Sequence, residues 1–527
     1  MSVNTEFQAP DERINGRPAS ELLASLPNRI SQAALHWADH APDRLALVDG
    51  DVRWTYGELG QAIRRSRDLL ASLDVRPGDR IMVLNENSRA LVALLLGAAE
   101  LDVWVAVVSA RLSAKEIDTI AEAADPRRLL YTTGISPEAG AHADRHGAVR
   151  RQLPDLGEIA IGPLRDSAAP EPVQAAGKDQ VATLIFTSGT TGVPKGVMLT
   201  HRNMLTVAAF TGGLRELGET DRVYGVLPIS HVFGLSSVFL GTMLYGATLQ
   251  LEARFEPARL AEALEHQGVT VLQGVPAMFQ RLLEYLRLQG RELRAPELRY
   301  MSVGGAPLDP AVKERVQQAF GLPLNNGYGL TEAAPTISQT RIRGPHDNIS
   351  TGPVLPLLEY KLKRGEEDSD SDPDVGELWV RGPTVMKGYF RRPDATAEVL
   401  TEDGWLNTGD LARLDAQGNL YIVGRTKELI IRSGFNVYPP DVEAVLTEHP
   451  DVTLCAVVGR AVEGNEEVVA YVQLAPGSTA TAEQIRSFAA ERLAPYKRPS
   501  EVVIMEVLPA TPTGKILKAR LRQQIDK

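Results

Sequence analysis

A chain of 527 residues is too long for one ordinary hydrophobic core, so two or more domains are expected. Its 43% apolar and 23% charged residues fit a globular protein, and 56 basic against 67 acidic side chains leave a formal charge of -11, which argues against a nucleic-acid partner. The single cysteine, Cys455, excludes an intrachain disulfide and a multi-cysteine metal site; inside the apolar run 454–458 it reads as a small core residue rather than a catalytic thiol.

Residues 1–20 are polar and read as a loose tail, with no basic segment followed by an apolar one, so a secretory signal is not expected and a cytoplasmic protein is. The most apolar stretch, 90–110, is interrupted by Glu100 and Asp102 and falls short of the roughly 18 to 20 residues of a membrane span. It predicts a buried helix followed by a strand. Short apolar runs at 181–186, 223–227, 269–272 and 299–303 predict buried strands. Between them, 257–266, 276–288 and 310–320 predict helices, each opened by a proline suited to a first turn. Such alternation implies an α/β domain of mostly parallel sheets flanked by helices. From 340 to 424, short strands at 376–380 and 419–423 among many Gly and Pro predict a small β subdomain, and the acidic run 365–374 reads as a solvated loop. The pattern restarts after 424–440 with a helix at 440–448, strands at 452–458 and 468–474, a helix at 482–493 and a strand at 502–507. That is a compact α+β unit of about the minimum domain size. The expected division is 1–424, a connection at 425–427, and 428–527. No internal repeat is visible.

The strongest motif is the loop Thr187, Ser188, Gly189, Thr190, Thr191, Gly192, Val193, Pro194, Lys195, Gly196, directly after an apolar strand. Its glycines let the backbone turn tightly, and four hydroxyls with one ammonium supply donors for a polyphosphate. It lacks the spacing of a Walker A loop. Further on, Tyr328 lies beside Gly327 and Gly329, as suits stacking on a purine, and Glu332 four residues later suits Mg²⁺. Asp410 ends a turn and could accept both hydroxyls of a ribose. Taken singly, each of these later segments also reads as ordinary surface.

The loop resembles the phosphate motif S/T-S-G-S/T-T-G-x-P-K-G of the adenylate-forming superfamily, which includes acyl-CoA synthetases, firefly-type luciferases and adenylation domains of peptide synthetases. Four more of its motifs follow in the family's order, and the resemblance covers residues 41 to 521. It implies that Thr187, Ser188, Gly189, Thr190, Thr191 and Lys195 hold the ATP phosphates. It places Gly305, Ala306, Asn326, Gly327, Tyr328, Gly329 and Thr331 around the nucleotide, with Tyr328 against adenine, Thr331 at the α-phosphate and Glu332 on Mg²⁺. Asp410 and Arg425 would take the ribose, and Lys427 would be the hinge on which a small mobile C-terminal domain swings. Ser433 and Gly434 would lie against the pantetheine of coenzyme A. Some plant relatives have a lysine where this chain has Ile431. Lys515 would stabilise charge during adenylation. His231 would stand beside the reacting carboxylate and thiol, although a histidine among apolar residues is also a common core residue.

The implied reaction has two steps: a carboxylate attacks ATP to give an acyl-adenylate and pyrophosphate, and a thiol, coenzyme A, then takes the acyl group. Catalytic roles are expected for Lys515, His231, Thr331 and Glu332. The acyl pocket would comprise His231, Phe233, Gly234, Val303, Gly304 and Ala333, with Leu235 and Ala334 nearby. These segments hold no arginine for a second carboxylate and no tryptophan to shorten the pocket, which favours an apolar fatty or aryl monocarboxylic acid. Two other readings are an enzyme loading a separate carrier protein and a nucleotide-binding protein without turnover; the intact Lys195, Glu332 and Lys515 oppose the latter. A monomer or homodimer without a membrane span is expected.

Overall fold

In the computed structural model, residues 6–187, 194–344, 347–364, 374–432, 435–462, 465–510 and 516–525 are described. The three helices predicted from their leading prolines run over Pro257–His266, Pro276–Leu288 and Pro310–Phe320. Proline opens a helix without loss because its missing N–H would have no partner there. The third is also capped by Asp309, whose side chain accepts from the Val312 N–H, and ends on Gly321 at φ 65°.

These helices alternate with strands Arg222–Gly225, Thr248–Leu251, Val271–Gly274, Tyr300–Val303 and Leu324–Gly329, which pair in parallel. With Leu45–Asp49, and with Val52–Thr55 and Thr336–Gln339 antiparallel at the two edges, they make an eight-stranded sheet. Strands buried on both faces read as unbroken apolar runs, which is why they were legible. The second eight-stranded sheet has Arg80–Asn85, Trp104–Ser109 and Val181–Thr187 at its parallel centre. The apolar stretch 90–110 is divided as expected, into helix Arg89–Ala99 and strand Trp104–Ser109. After Val181–Thr187 the chain returns antiparallel as Lys195–Thr200, and Thr187 pairs with Lys195. The two ends of the phosphate-loop motif are thus held side by side by sheet hydrogen bonds.

The β-rich part is an antiparallel five-stranded sheet of Phe7–Gln8, Glu359–Lys363, Gly376–Arg381, Leu406–Leu414 and Leu420–Arg425. Two expectations are corrected here. Described residues of the first twenty are not a loose tail. Phe7–Gln8 adds a strand to the sheet edge, Phe7 stacks on Tyr360, Glu12 pairs with Arg341 at 2.6 Å, and Ile14 and Ala19 are buried. An open sheet edge offers unpaired backbone groups that even a short polar segment can satisfy. Residues 405–410, read as a turn, are strand from Leu406 onward, with Gly409 alone at φ 68°.

The smaller C-terminal domain has helices Pro439–Thr447 and Ala482–Arg492 against the hairpin Val452–Val462 and Asn465–Leu474, with Glu501–Ile504 parallel to the second strand. Its core of Ile430, Val442, Leu446, Val457, Val472 and Ile485 is separate from the large core, whose last member is Leu420. Cys455 is half-buried in it, its thiol donating to the Glu443 carbonyl at 3.4 Å; burial pushes the thiol up to about 12. No helix among the described residues is long and apolar enough to cross a membrane.

Candidate active site

A cavity of about 980 Å³ lies at the carboxyl ends of the parallel strands Val271–Gly274, Tyr300–Val303 and Leu324–Gly329. Crevices at strand ends are where open α/β sheets bind ligands. Thr187 and Lys195 contribute from the second sheet, Thr408 and Gly409 from the β-rich sheet, and Lys518, Ala519 and Arg522 from the last helix, Lys518–Ile525.

Asp410 stands behind one part of the wall, against the lining residues Tyr328 and Arg425. Its Oδ2 accepts from the Tyr328 hydroxyl at 2.5 Å, and its Oδ1 is 3.0 Å from Arg425 Nε. The carboxylate is buried while Arg425 is exposed. Burial, and then the Asp410 charge, push the Tyr328 phenol well above its ordinary range; Asp410 raises Arg425 further. Tyr328 lies in the strand Leu324–Gly329, and Gly329 must be glycine because a Cβ there would sit 1.9 Å from the Pro335 carbonyl oxygen. Asn326 lines the cavity, but its amide donates to the Ile349 and Ser350 carbonyls at 3.1 and 3.3 Å, so it holds the neighbouring loop.

Another part joins Lys195 to Glu332 through Tyr389, a residue without a sequence signal. Tyr389 donates to Glu332 Oε1 at 2.8 Å, and Lys195 Nζ lies 4.9 Å from its ring centre. The residue sits in the two-residue strand Gly388–Tyr389, paired with Val197 beyond the phosphate-loop motif.

A further part carries His231, Phe233, Val303 and Gly304. The Phe233 N–H donates to His231 Nδ1 at 3.2 Å, so in the neutral ring the proton is on Nε2. The chain continues into a π-helical segment, Phe233–Leu240, a wide helix that recurs at functional sites. Four positions expected near this pocket do not line the cavity. Gly234, Leu235, Ala333 and Ala334 are buried behind its wall. A Cβ on Gly234 would meet the Pro228 carbonyl oxygen at 2.2 Å, so that glycine serves close backbone packing. Gly305 lines the cavity and Ala306 does not. Arg215, Ser237, Gln273 and Ser302 also line it, which the sequence did not foretell, because Arg215 follows a helix end where a cation usually faces solvent.

Lys427 lies in a short 3₁₀ turn, Thr426–Glu428, that is held from both sides. Arg522 donates to the Lys427 carbonyl at 3.2 Å, Thr426 donates to Glu377 at 3.2 Å, and Lys518 reaches Glu428 at 3.3 Å and Glu443 at 2.7 Å. Burial alone would lower Lys518, but the two glutamates outweigh it and hold it raised. Ser188, Gly189, Thr190, Thr191, Ser433, Gly434 and Lys515 lie outside the described residues.

A family model described as AMP-binding enzyme matches residues 35–390, and a second, described as AMP-binding enzyme C-terminal domain, matches residues 441–515. The chain belongs to the AMP-binding enzyme family. It is similar to a feruloyl-CoA synthase of Amycolatopsis, 34% identical over 487 residues that span 92% of this chain and 96% of that protein. The long-chain-fatty-acid–CoA ligase FadD13 of Mycobacterium tuberculosis is 32% identical over 484 residues, spanning 90% and 93%. Among solved structures, the o-succinylbenzoate coenzyme A synthetase of Bacillus subtilis in complex with ATP and magnesium ion superposes with a TM-score of 0.79 at 30% identity, covering 94% of this chain and 99% of that one. As an AMP-binding enzyme of this kind the chain is an AMP-forming acid–thiol ligase using ATP, Mg²⁺ and coenzyme A. The donor set suits that metal. The described residues contain no group of three or more His, Cys, Asp or Glu able to hold a metal, but Glu332 stands on the cavity wall near Lys195. Mg²⁺ commonly takes one or two carboxylates and fills its remaining positions with water and substrate phosphate oxygens.

Proposed function

We propose that this AMP-binding enzyme converts an apolar fatty or aryl acid to its acyl-adenylate and then to its coenzyme A thioester, in the one cavity that Arg425, Lys195 and His231 share. The observation that carries the reading is the set of groups gathered at that cavity. A ribose-type carboxylate behind Tyr328 and Arg425, a cation and metal-type carboxylate at Lys195 and Glu332, and His231 with the apolar Phe233 and Val303 meet there. These groups match the sugar, the phosphate and the acyl group of an acyl-adenylate.

The substrate carboxylate is ionised near neutral pH, so it attacks the α-phosphorus without a general base and pyrophosphate leaves. Catalysis is then alignment and neutralisation of charge on the phosphoryl oxygens. Asp410 takes ribose hydroxyls on lone pairs not used by Tyr328 and Arg425. Tyr328 flanks the adenine, Thr331 contacts the α-phosphate, and Thr187, Lys195 and the rest of the loop, Ser188, Gly189, Thr190 and Thr191, hold the outer phosphates. Glu332 would hold Mg²⁺, which when bound neutralises phosphate charge. Lys515 belongs to the same step. Lys518, Ala519 and Arg522 of the last helix line the cavity three to seven residues after Lys515. Rotation of residues 428–527 about Lys427, away from 1–424, would bring Ser433 and Gly434 to the cavity for thiol attack beside His231.

Coenzyme A is favoured over a carrier protein as acceptor because the relatives' names are those of CoA ligases. We place the enzyme in the cytoplasm, where ATP and coenzyme A are at hand, as a monomer or homodimer. The test is pyrophosphate and AMP release over C2–C18 fatty acids and benzoate and cinnamate derivatives, followed by thioester formation with coenzyme A or with a carrier protein. Thioester on the carrier alone, or no acid-dependent pyrophosphate release, would overturn the reading.

A further inference from the structure

The acyl end of the cavity is not wholly apolar. Among the described residues three arginines are buried, and two of them meet carboxylates: Arg80 pairs with Asp125 and Glu171, and Arg127 with Asp74 and Asp79. Arg215 is the exception. It is 2% exposed and lines the cavity, yet its Nη1 donates to the Ser237 carbonyl and to Gln273 Oε1, each at 2.9 Å, its Nη2 to Ser237 Oγ, and its other close neighbour is the Tyr300 phenol. All of these groups are neutral, and no described carboxylate lies within ion-pair distance of it. A guanidinium keeps its proton, so this is a desolvated positive charge without a counter-charge, an arrangement that is costly unless something else satisfies it.

Gln273 supplies a second, independent sign. An arginine has donors only, so Gln273 must turn its oxygen to Arg215 and its amide nitrogen elsewhere. That Nε2 has no hydrogen-bond partner among the described residues, although Gln273 is 1% exposed and lines the same cavity. A buried amide donor without an acceptor is rare in folded proteins and calls for an explanation. Two donor side chains therefore meet at one cavity end, while Phe233 and Val303 keep its sides apolar.

We propose that the acid activated here has an apolar body and an oxygen acceptor at the tip distal to its reacting carboxylate, and that Arg215 and Gln273 select for that oxygen. The inference rests on the ligase reading above and narrows its substrate. The test compares matched acids in two series: hexanoate, 5-oxohexanoate and adipate, and cinnamate, 4-hydroxycinnamate and 4-carboxycinnamate. The middle member of each carries a neutral tip oxygen and the last an anionic one, so the arms separate the two kinds of acceptor. In at least one series an oxygen-tipped acid is expected to exceed its plain parent about tenfold or more in kcat/KM for pyrophosphate release. Arg215→Met and, should that variant not fold, Gln273→Leu are expected to bring this ratio toward one. Thermal shift with each acid and AMP reads the same preference as binding. Preference for the plain parent in both series, or an unchanged ratio in the folded variants, overturns the inference while leaving the ligase reading intact. If no acid supports pyrophosphate release, the ligase reading falls and this inference with it.

Discussion

Replacing Tyr389 by phenylalanine would remove one hydroxyl and keep the ring that faces Lys195. The lost interaction is the donation to Glu332 Oε1 at 2.8 Å. A hydrogen bond to a charged group contributes about 1.5–3 kcal/mol, and because Glu332 is only half-buried the lower part of that range applies, about 1.5–2 kcal/mol. At about 1.4 kcal/mol per factor of ten this is about 10- to 30-fold. It should appear as weaker Mg²⁺ affinity in adenylation, since a group that orients a metal ligand typically changes affinity about 10- to 100-fold. Burial and then the Glu332 charge hold the Tyr389 hydroxyl far above its ordinary range, so it stays a donor and the loss should not vary with pH between about 6 and 9. The assay is a Mg²⁺ titration of pyrophosphate release, run beside thioester formation from preformed acyl-adenylate. The expected result is a higher Mg²⁺ requirement with the second half-reaction intact. An unchanged titration, or equal loss in both half-reactions, would refute the assignment of Tyr389 as the residue that positions Glu332.

Lys515→Ala is expected to lower adenylation by about 10²–10³ and to spare thioester formation from preformed acyl-adenylate; equal loss in both would give Lys515 another role. Lys427→Pro is expected to restrict the turn between the domains, so thioester formation should fall more than adenylation, with circular dichroism unchanged; matching losses would count against a hinge there. His201 is buried, its Nδ1 accepting from the Ile30 N–H at 3.2 Å, and burial, aided by Arg29, lowers its pKa from 6.5 to about 3. Between those values the unfolded chain binds a proton that the folded chain does not, so stability should fall as pH drops through that window. His201→Gln should flatten the urea midpoint against pH from 6.5 to 4, and parallel slopes for both proteins would refute the linkage.

Much of this enzyme follows from causes that act within a few residues. Prolines open helices at Pro257, Pro276 and Pro310 because a helix's first N–H groups have no partners, and each boundary was visible in the chain. Doubly buried strands such as Val271–Gly274 are apolar without a break. The ten residues of the phosphate motif are contiguous, so their chemistry could be read before any folding was known. The first residues of the chain misled because edge pairing depends on a strand at Glu359–Lys363, far along the sequence. The same distance hid the rest of the site. Tyr389 meets Glu332 across 57 residues, Tyr328 meets Asp410 across 82, and Arg215 reaches Gln273 across 58. A lone tyrosine, or an arginine after a helix, has an ordinary reading in sequence. Whether it ends in water or in a buried pocket without a counter-charge is decided only when distant strands and helices pack, because burial and partner are properties of the assembled core.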